Sequence, residues 1–320
     1  MNRRYHGLVL ALALSASSLP SVARADDRWS SVRPGLRLLR RSTRHADGAP
    51  LVLHVAVLNL CAVRGRFRAT SPSETPSTTS RFAQRTSALV AINGDFFDRP
   101  GVPLGRARGD GREFAPRPEY YFGALVVARS GALPMVLERY EAPRQYTEVV
   151  SAQERVVVAG AARVDPHVQH SRQRHPRTAM GWSRDGRTVI FVVVDGRSRA
   201  SAGATTPELA LILRDLGAWE AVRFDGGGSS TLVVRSRVVN SPSDGAERSV
   251  ANHLAFVEDP SSPSLDACLE RAPDVVDIAP DAPRDSMPFP ARTRAPRIAP
   301  VLARELSPLR RASLLSSRRS

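Results

Sequence analysis

TTPELALILRDLGAWEAVRFDGGGSS, residues 205–230, carries the clearest structural signals in the chain. Thr205 and Glu208 form a Thr-x-x-Glu capping box, and Pro207 sits in the first turn. Leu209, Ile212, Leu213 and Leu216 make one apolar stripe that Gly217 stops. The pattern predicts a short amphipathic helix that feeds a strand from Ala221 to Phe224. That strand runs into Asp225-Gly226-Gly227-Gly228-Ser229. Three consecutive glycines cost backbone entropy on folding. They are expected where a chain turns sharply or where its N–H groups approach a ligand, and such a nest suits an anionic oxygen with Asp225 at its rim. A flexible hairpin would need two turn residues, not three glycines and two serines.

Outward from this stretch, strand patterns dominate. Leu51 to Leu58 reads as a half-buried strand, and Ser80 to Thr86 as a short helix before a strand at Ala88–Ile92. Phe122–Ala128 with Pro134–Leu137 reads as one hairpin, and Thr178–Ser183 with Arg187–Val194 as another, turning at Asp185-Gly186. Thr231–Val234, Arg237–Asn240 and Val250–Val257 complete the set. The expectation is an α+β fold: a single mixed, mostly antiparallel sheet domain with few helices, over residues 51–258. About 200 residues suffice for one core.

The flanks differ. Residues 1–25 read as a signal peptide: Arg3 and Arg4, a short apolar run from Gly7 to Leu19, then Ala23-Arg24-Ala25 as the cleavage pattern. The run is too short to span a bilayer of roughly 30 Å. No transmembrane span is expected, and the protein is placed as secreted or periplasmic. Residues 26–50 form a lead-in segment. Residues 259–320, rich in Pro, Ser, Asp and then Arg, read as a disordered tail. Cys61 and Cys268 are the two cysteines. An exported chain allows them to pair, tying the end of the domain to an early strand; two free thiols are the alternative.

The net charge of +15 suggests nucleic acid until it is divided. The signal peptide carries +3 and the stretch from Arg284 onward +7, leaving +5 for residues 26–283. The chain has no lysine, and aromatic residues for stacking on bases are sparse. Nucleic acid is therefore not expected as a partner.

Three polar clusters follow apolar strands, where loops on a rigid sheet place functional groups. Asn93-Gly94-Asp95-Phe96-Phe97-Asp98 follows Val90-Ala91-Ile92; taken alone, it also fits an Asn-Gly turn before core aromatics. Asp195-Gly196-Arg197 follows Ile190–Val194, with a local ion pair as the plainer reading. Asp225–Ser230 is the third. Glu208 has a structural explanation as the capping acid, and Arg177 suits a phosphate clamp or a surface charge. His167, His170 and His175 share one loop without metal-ligand spacing, so no metal and no cofactor are expected. No Gly-x-Ser-x-Gly, Walker or dinucleotide-binding glycine pattern occurs.

Taken together, the segments resemble a known family. Asn-Gly-Asp-Phe-Phe (93–97), Arg-Thr-Ala-Met-Gly (177–181), Asp-Gly-Arg (195–197) and Gly-Ala-Thr-Thr-Pro-Glu-Leu (203–209) come in this order. Asp-Gly-Gly-Gly-Ser-Ser (225–230), Val-Val-Asn-Ser-Pro-Ser-Asp (238–244) and Glu-Arg-Ser-Val-Ala-Asn-His-Leu (247–254) follow. The set is similar to the phosphodiester glycosidase domain, the family of the lysosomal enzyme that uncovers sugar phosphates by removing N-acetylglucosamine. The resemblance implies hydrolysis between an anomeric carbon and a phosphodiester oxygen in a phosphorylated glycan. It implies Asp225 as lead carboxylate, base or nucleophile, with Glu208 or Asp195 as the second. Arg177 and Arg197, with the N–H groups of Gly226, Gly227, Gly228 and Ser229, would hold the phosphate. Asn93, Gly94 and Asp95 would contact the sugar, and Asn240 and Asp244 would shape the rim. A non-catalytic envelope protein that binds phosphorylated glycans through the same pocket is the competing class; a metal-dependent phosphodiesterase would need a ligand cluster.

Overall fold

The computed structural model describes residues 25–98, 102–114, 144–163, 172–263 and Cys268, with the backbone of 124–128 and 135–137. Residues 1–24 of the expected signal peptide, His167 and His170, and all of the tail beyond residue 263 except Cys268 lie outside these residues. In chain order the strands are β1 (Asp26–Arg33), β2 (Leu36–Arg44), β3 (Pro50–Asn59), β4 (Gly65–Ala69), β5 (Ala88–Asn93), β6 (Arg108–Gly109), β7 (Arg112–Glu113), β8 (Ala124–Ala128) and β9 (Met135–Leu137). They continue as β10 (Glu148–Ala152), β11 (Glu154–Val158), β12 (Ala161–Ala162), β13 (Arg177–Trp182), β14 (Thr188–Val194), β15 (Glu220–Arg223), β16 (Leu232–Val234), β17 (Arg237–Val238) and β18 (His253–Glu258). The helices are α1 (Thr79–Thr86) and α2 (Thr206–Asp215).

The strands form an eight-stranded sheet, β1-β2-β3-β14-β13-β15-β11-β12, and two five-stranded sheets, β17-β16-β5-β18-β4 and β7-β6-β10-β8-β9. Strand pairing among the described residues is antiparallel, as in β14 on β3 with Val194 opposite Leu53. The result is mostly antiparallel sheet with two α-helices, the α+β class the patterning implies. The lead-in segment of residues 26–50 supplies β1 and β2, the two strands at one edge of the large sheet.

Period-two alternation builds the layers. On β14, Val189, Phe191 and Val193 face a core shared with β16 and β18, where Leu232, Val234, Leu254 and Phe256 point inward. The intervening Ile190, Val192 and Val194 pack against Leu209, Ala210 and Leu213 of α2. On the far side of the smaller sheet, Ala91, Val233 and Ala255 meet Phe82 and Ala83 of α1. The order is therefore α2, large sheet, small sheet, α1. A strand such as β14, buried on both faces, cannot carry polar side chains until it ends. Polar groups accordingly gather at one end of the large sheet, where β14 stops at Val194, β15 stops at Arg223, β13 begins at Arg177 and β11 begins at Glu154. At the other end, Cys61 is disulfide-bonded to Cys268 with their Cα atoms 5.4 Å apart.

Candidate active site

The triple-glycine turn is held from below. Phe224 N–H donates to Thr178 O (2.9 Å), Asp225 N–H to Gly94 O (3.0 Å) and Gly227 N–H to Pro176 O (2.9 Å). Asn93 Nδ2 donates to Asp225 O at 2.9 Å, and its Oδ1 accepts from Thr178 Oγ1 at 2.7 Å and Thr231 N–H at 3.1 Å. Close approach explains each glycine. A Cβ on Gly226 would lie 2.7 Å from Pro176 O, and one on Gly227, whose φ is +61°, would lie 2.9 Å from Arg197 Nη2. One on Gly228 would collide with Asp244 Oδ2 at 2.0 Å and Arg248 Nη2 at 2.1 Å.

The turn closes as a short 3-10 helix, Gly227–Ser229, and this uses up most of its donors. Gly226 N–H donates to Asp225 Oδ1 at 2.8 Å, and Ser229 N–H to Gly226 O at 3.3 Å. With Gly227 N–H on Pro176, Gly228 alone among the four keeps an N–H without a protein acceptor among the described residues. Of the four N–H groups expected to form the nest, that of Gly228 is thus the one left open.

Above the turn lies a cleft of about 420 Å³, lined among the described residues by four arginines (Arg177, Arg197, Arg223 and Arg248) and a single carboxylate, Asp225. Gly226, Gly227, Gly228, Phe96, Gln153 and His175 complete much of its wall. Arg177 is 3% exposed; its Nε donates to Ala204 O at 2.9 Å and its Nη2 to Gln173 O at 2.8 Å. Burial, and then the nearby Arg223, hold its pKa down at about 10. Arg223 donates to Glu154 Oε1 from Nε (3.1 Å) and Nη2 (2.8 Å), and burial lowers its pKa. Arg248 pairs with Asp244 Oδ2 at 2.5 Å and reaches Ser229 Oγ at 3.5 Å. Arg197 adopts left-handed backbone geometry, φ +58°, which turns its guanidinium onto Gly227. It makes no ion pair among the described residues. Burial raises the pKa of Asp225; the Ser229 hydroxyl, the Gly226 N–H, Arg248 and Arg223 pull the other way. This arrangement can hold an anion beside a desolvated carboxylate.

The two candidates for a second carboxylate lie elsewhere. Glu208 Oε2 accepts from Thr205 N–H at 2.8 Å, and Oε1 sits 3.1 Å from His45 Nδ1 and 2.7 Å from Arg174 Nη2. Burial raises its pKa, but Arg174, the Thr205 N–H and His45 outweigh that and lower it. It caps α2 and ties the helix to the β2–β3 turn. Asp195, 6% exposed, is filled by His54 Nε2 at 3.0 Å, Ser241 N–H at 3.0 Å and Asn240 Nδ2 at 3.4 Å. Neither lines the cleft. In both cases a carboxylate at the end of a buried strand or helix is taken by the donors that end exposes.

Asn93 and Gly94 stand behind the turn, not on the cleft wall. Gly94 bridges Asn252 O, to which its N–H donates at 2.8 Å, and Asp225 N–H. Asp95 is 2% exposed, and neither carboxylate oxygen has a hydrogen-bond partner. Burial pushes its pKa well up, Asp225 adds to that, and the Asn252 amide opposes it. Asn240 braces the turn, donating to Ser230 O at 3.1 Å and accepting from Leu232 N–H at 2.9 Å. Asp244 reaches the rim through Arg248. Arg223, Arg248, Gln153 and Phe96 were not singled out from the sequence. Arg223 had a signal, a charge inside the apolar strand Ala221–Phe224. Among the described residues no three of His, Cys, Asp and Glu group to hold a metal.

The sequence pattern of phosphodiester glycosidases matches residues 86–257, more than half of the chain, and includes Arg177, Arg197, Arg223, Asp225 and Arg248. The chain belongs to the phosphodiester glycosidase family. The matched stretch runs from the end of α1 into β18. The chain is 41% identical over 83 residues to the SPbeta prophage-derived uncharacterized protein YomE of Bacillus subtilis, a match covering 26% of this chain and 13% of that protein. Its fold is similar to the zebrafish N-acetylglucosamine-1-phosphodiester alpha-N-acetylglucosaminidase catalytic domain, auto-inhibited by its pro-peptide. That likeness has a TM-score of 0.60 and 19% identity, over 74% of this chain and 89% of that one. A putative exported protein from Burkholderia pseudomallei is similar at TM-score 0.53 and 14% identity, over 78% of this chain and all of that one.

Proposed function

We propose that this phosphodiester glycosidase is an exported hydrolase that cleaves the bond from an anomeric carbon to a phosphodiester oxygen, in a sugar-1-phosphodiester of the N-acetylglucosamine type within envelope or extracellular glycans. The observation that carries the reading is one carboxylate, Asp225, facing a cleft with four guanidiniums. The reaction's charge pattern asks for that inventory. The leaving group is a phosphate monoester with a second pKa of about 6, so it departs with little protonation. Guanidinium forks stabilise it as charge develops, and the sugar side needs a carboxylate near the carbon that gains oxocarbenium character. Arg197, free of any carboxylate among the described residues, and Arg177, held by two backbone carbonyls, are the phosphate ligands; Asp225 serves as base toward water or as nucleophile. The leader pattern of residues 1–25 and the Cys61–Cys268 bridge support export, since disulfides persist in oxidising compartments.

Product analysis with an aryl N-acetylglucosamine-1-phosphodiester tests the proposal. Free sugar plus aryl phosphate is the expected outcome, and sugar phosphate plus phenol would refute it. Asp225→Asn should lower kcat by about 10³-fold or more, in line with the loss of a group acting on the reacting atom. Wild-type protein that binds the substrate without turning it over would instead favour the non-catalytic glycan-binding reading.

A further inference from the structure

The end of the large sheet that carries the cleft carries a second one. It has a volume of about 390 Å³ and is lined by Arg40, Ser42 and Arg44 of β2, Pro50 and Val52 of β3, and Ala200. Arg40 Nη1 donates to Ser42 Oγ at 2.8 Å and Arg44 Nη1 to Gly48 O at 2.7 Å, both neutral acceptors. Both side chains are exposed. The loop Asp195–Gly203 divides this cleft from the first. It presents Arg197 to one and Ala200 to the other, with Arg199 exposed between them. Among the described residues no carboxylate pairs with Arg40, Arg44, Arg197 or Arg199. Nearby arginines behave otherwise: Arg41 is paired with Asp27 and Arg174 with Glu208.

The dividing loop is anchored. Ser201 Oγ donates to Asp195 O at 2.6 Å and accepts from Val52 N–H at 3.0 Å, and Ala202 N–H donates to Pro50 O at 2.8 Å. The spacing of the two clefts is therefore fixed by the sheet. From β2 to β15 there are four strand spacings, about 19 Å. Uncompensated guanidiniums at a fixed separation suit a ligand that repeats its negative charge. Each guanidinium fork matches a phosphate bidentately, and a second contact on one chain acts at high effective concentration.

Building on the reading of the first cleft, we propose that the second is an accessory phosphate subsite, so that the preferred substrate is a glycan with several phosphodiester links. Arg40 and Arg44 hold a phosphate of a neighbouring repeat while Asp225 faces the link to be cut. The test compares two substrates: the aryl N-acetylglucosamine-1-phosphodiester, with one phosphate, and a synthetic oligomer of the same sugar joined through several 1-phosphodiester links. In Arg40→Gln/Arg44→Gln, kcat/KM for the oligomer should fall about tenfold, and that for the single-phosphate compound should stay within twofold. The wild-type preference for the oligomer should also shrink as salt is raised. A double variant that treats both substrates as wild type does overturns the proposal. So does a variant that loses only its binding to phosphatidylglycerol vesicles, which would make the patch a membrane contact. If neither substrate is turned over by wild type, the reading of the first cleft fails. Binding of the oligomer to wild type and to the double variant then still decides the second cleft, with a tenfold loss of affinity as the supporting result and equal affinity as the overturning one.

Discussion

Asp95 is a carboxyl group that pulls stability and site apart. It is 2% exposed, its oxygens make no well-formed hydrogen bond among the described residues, the Asn252 amide and its own N–H are its nearby donors, and Asp225 is an electrostatic neighbour. Burial raises its pKa in the folded state, so folding favours the protonated form. The folded protein is then at its best below the unfolded pKa of about 3.9 and loses stability as pH rises through the raised folded value. Asp95→Asn mimics the protonated group and does not titrate. It should be more stable than wild type at pH 7, by about 1–3 kcal/mol, the cost of a buried unsatisfied polar group. The advantage should narrow toward pH 4. Thermal melts of both proteins at the two pH values check this, and a variant with an equal or lower Tm at pH 7 contradicts it. That Asp225, Arg177 and Arg197 line one cleft was legible in the sequence, because each stands at or just beyond the end of an apolar strand. Glu208 and Asp195 also stand at element ends, yet they lie off that cleft. Sequence spacing shows that a carboxylate sits at an element's end, but only the fold shows whether backbone donors and His45, His54 or Arg174 reach it first.

The triple-glycine turn, as an element, separates two kinds of constraint. At Gly226 a Cβ meets the Pro176 carbonyl, part of the backbone; at Gly228 it meets the outer atoms of Asp244 and Arg248, whose side chains are 39% and 41% exposed. Backbone cannot yield without moving β13, whereas an exposed ion pair can swing away. Gly226→Ala should therefore cost about 2 kcal/mol or more, and Gly228→Ala under about 1 kcal/mol. The second change displaces Arg248 from the cleft rim, so it should raise KM severalfold while leaving Tm nearly unchanged. Denaturant unfolding and steady-state kinetics on the two variants separate these outcomes, and equal destabilisation would refute the distinction. Helix α2 was readable from its cap, stripe and stop, and β14 from its unbroken apolar run. Strand β2 was not. Its sequence, LRLLRRSTR, buries Leu36 and Leu39 but exposes Arg37, Arg40 and Arg44, so it lacks clean alternation. A strand near the edge of a sheet needs no continuous apolar face, and this kept the lead-in segment and the second cleft out of view.

Across the whole molecule, chemistry and staple sit at opposite ends of the large sheet. β3 begins at Pro50, beside the second cleft, and ends at Asn59, two residues before Cys61. Its ten residues span about 33 Å. The Cys61–Cys268 bridge closes a chain separation of 207 residues, so it restricts the unfolded ensemble far more than it shapes the cleft. On loop-closure grounds, its removal should cost about 3–5 kcal/mol. Cys61→Ser should lower Tm by roughly 6–20 °C, at about 2–4 °C per kcal/mol for a domain of this size. A reducing agent should lower wild type to the same value, and Cys61→Ser/Cys268→Ser should be no worse than the single change. At temperatures where the variant is still folded, kcat/KM should match wild type within twofold, because Arg177, Arg223 and Asp225 are positioned from the far ends of β13 and β15. A loss of activity ahead of any loss of fold, followed by circular dichroism and turnover on the same samples, would show that the bridge reaches the site. Equal activity with lowered stability would show that the sheet carries rigidity to the cleft by itself and that the bridge serves stability alone.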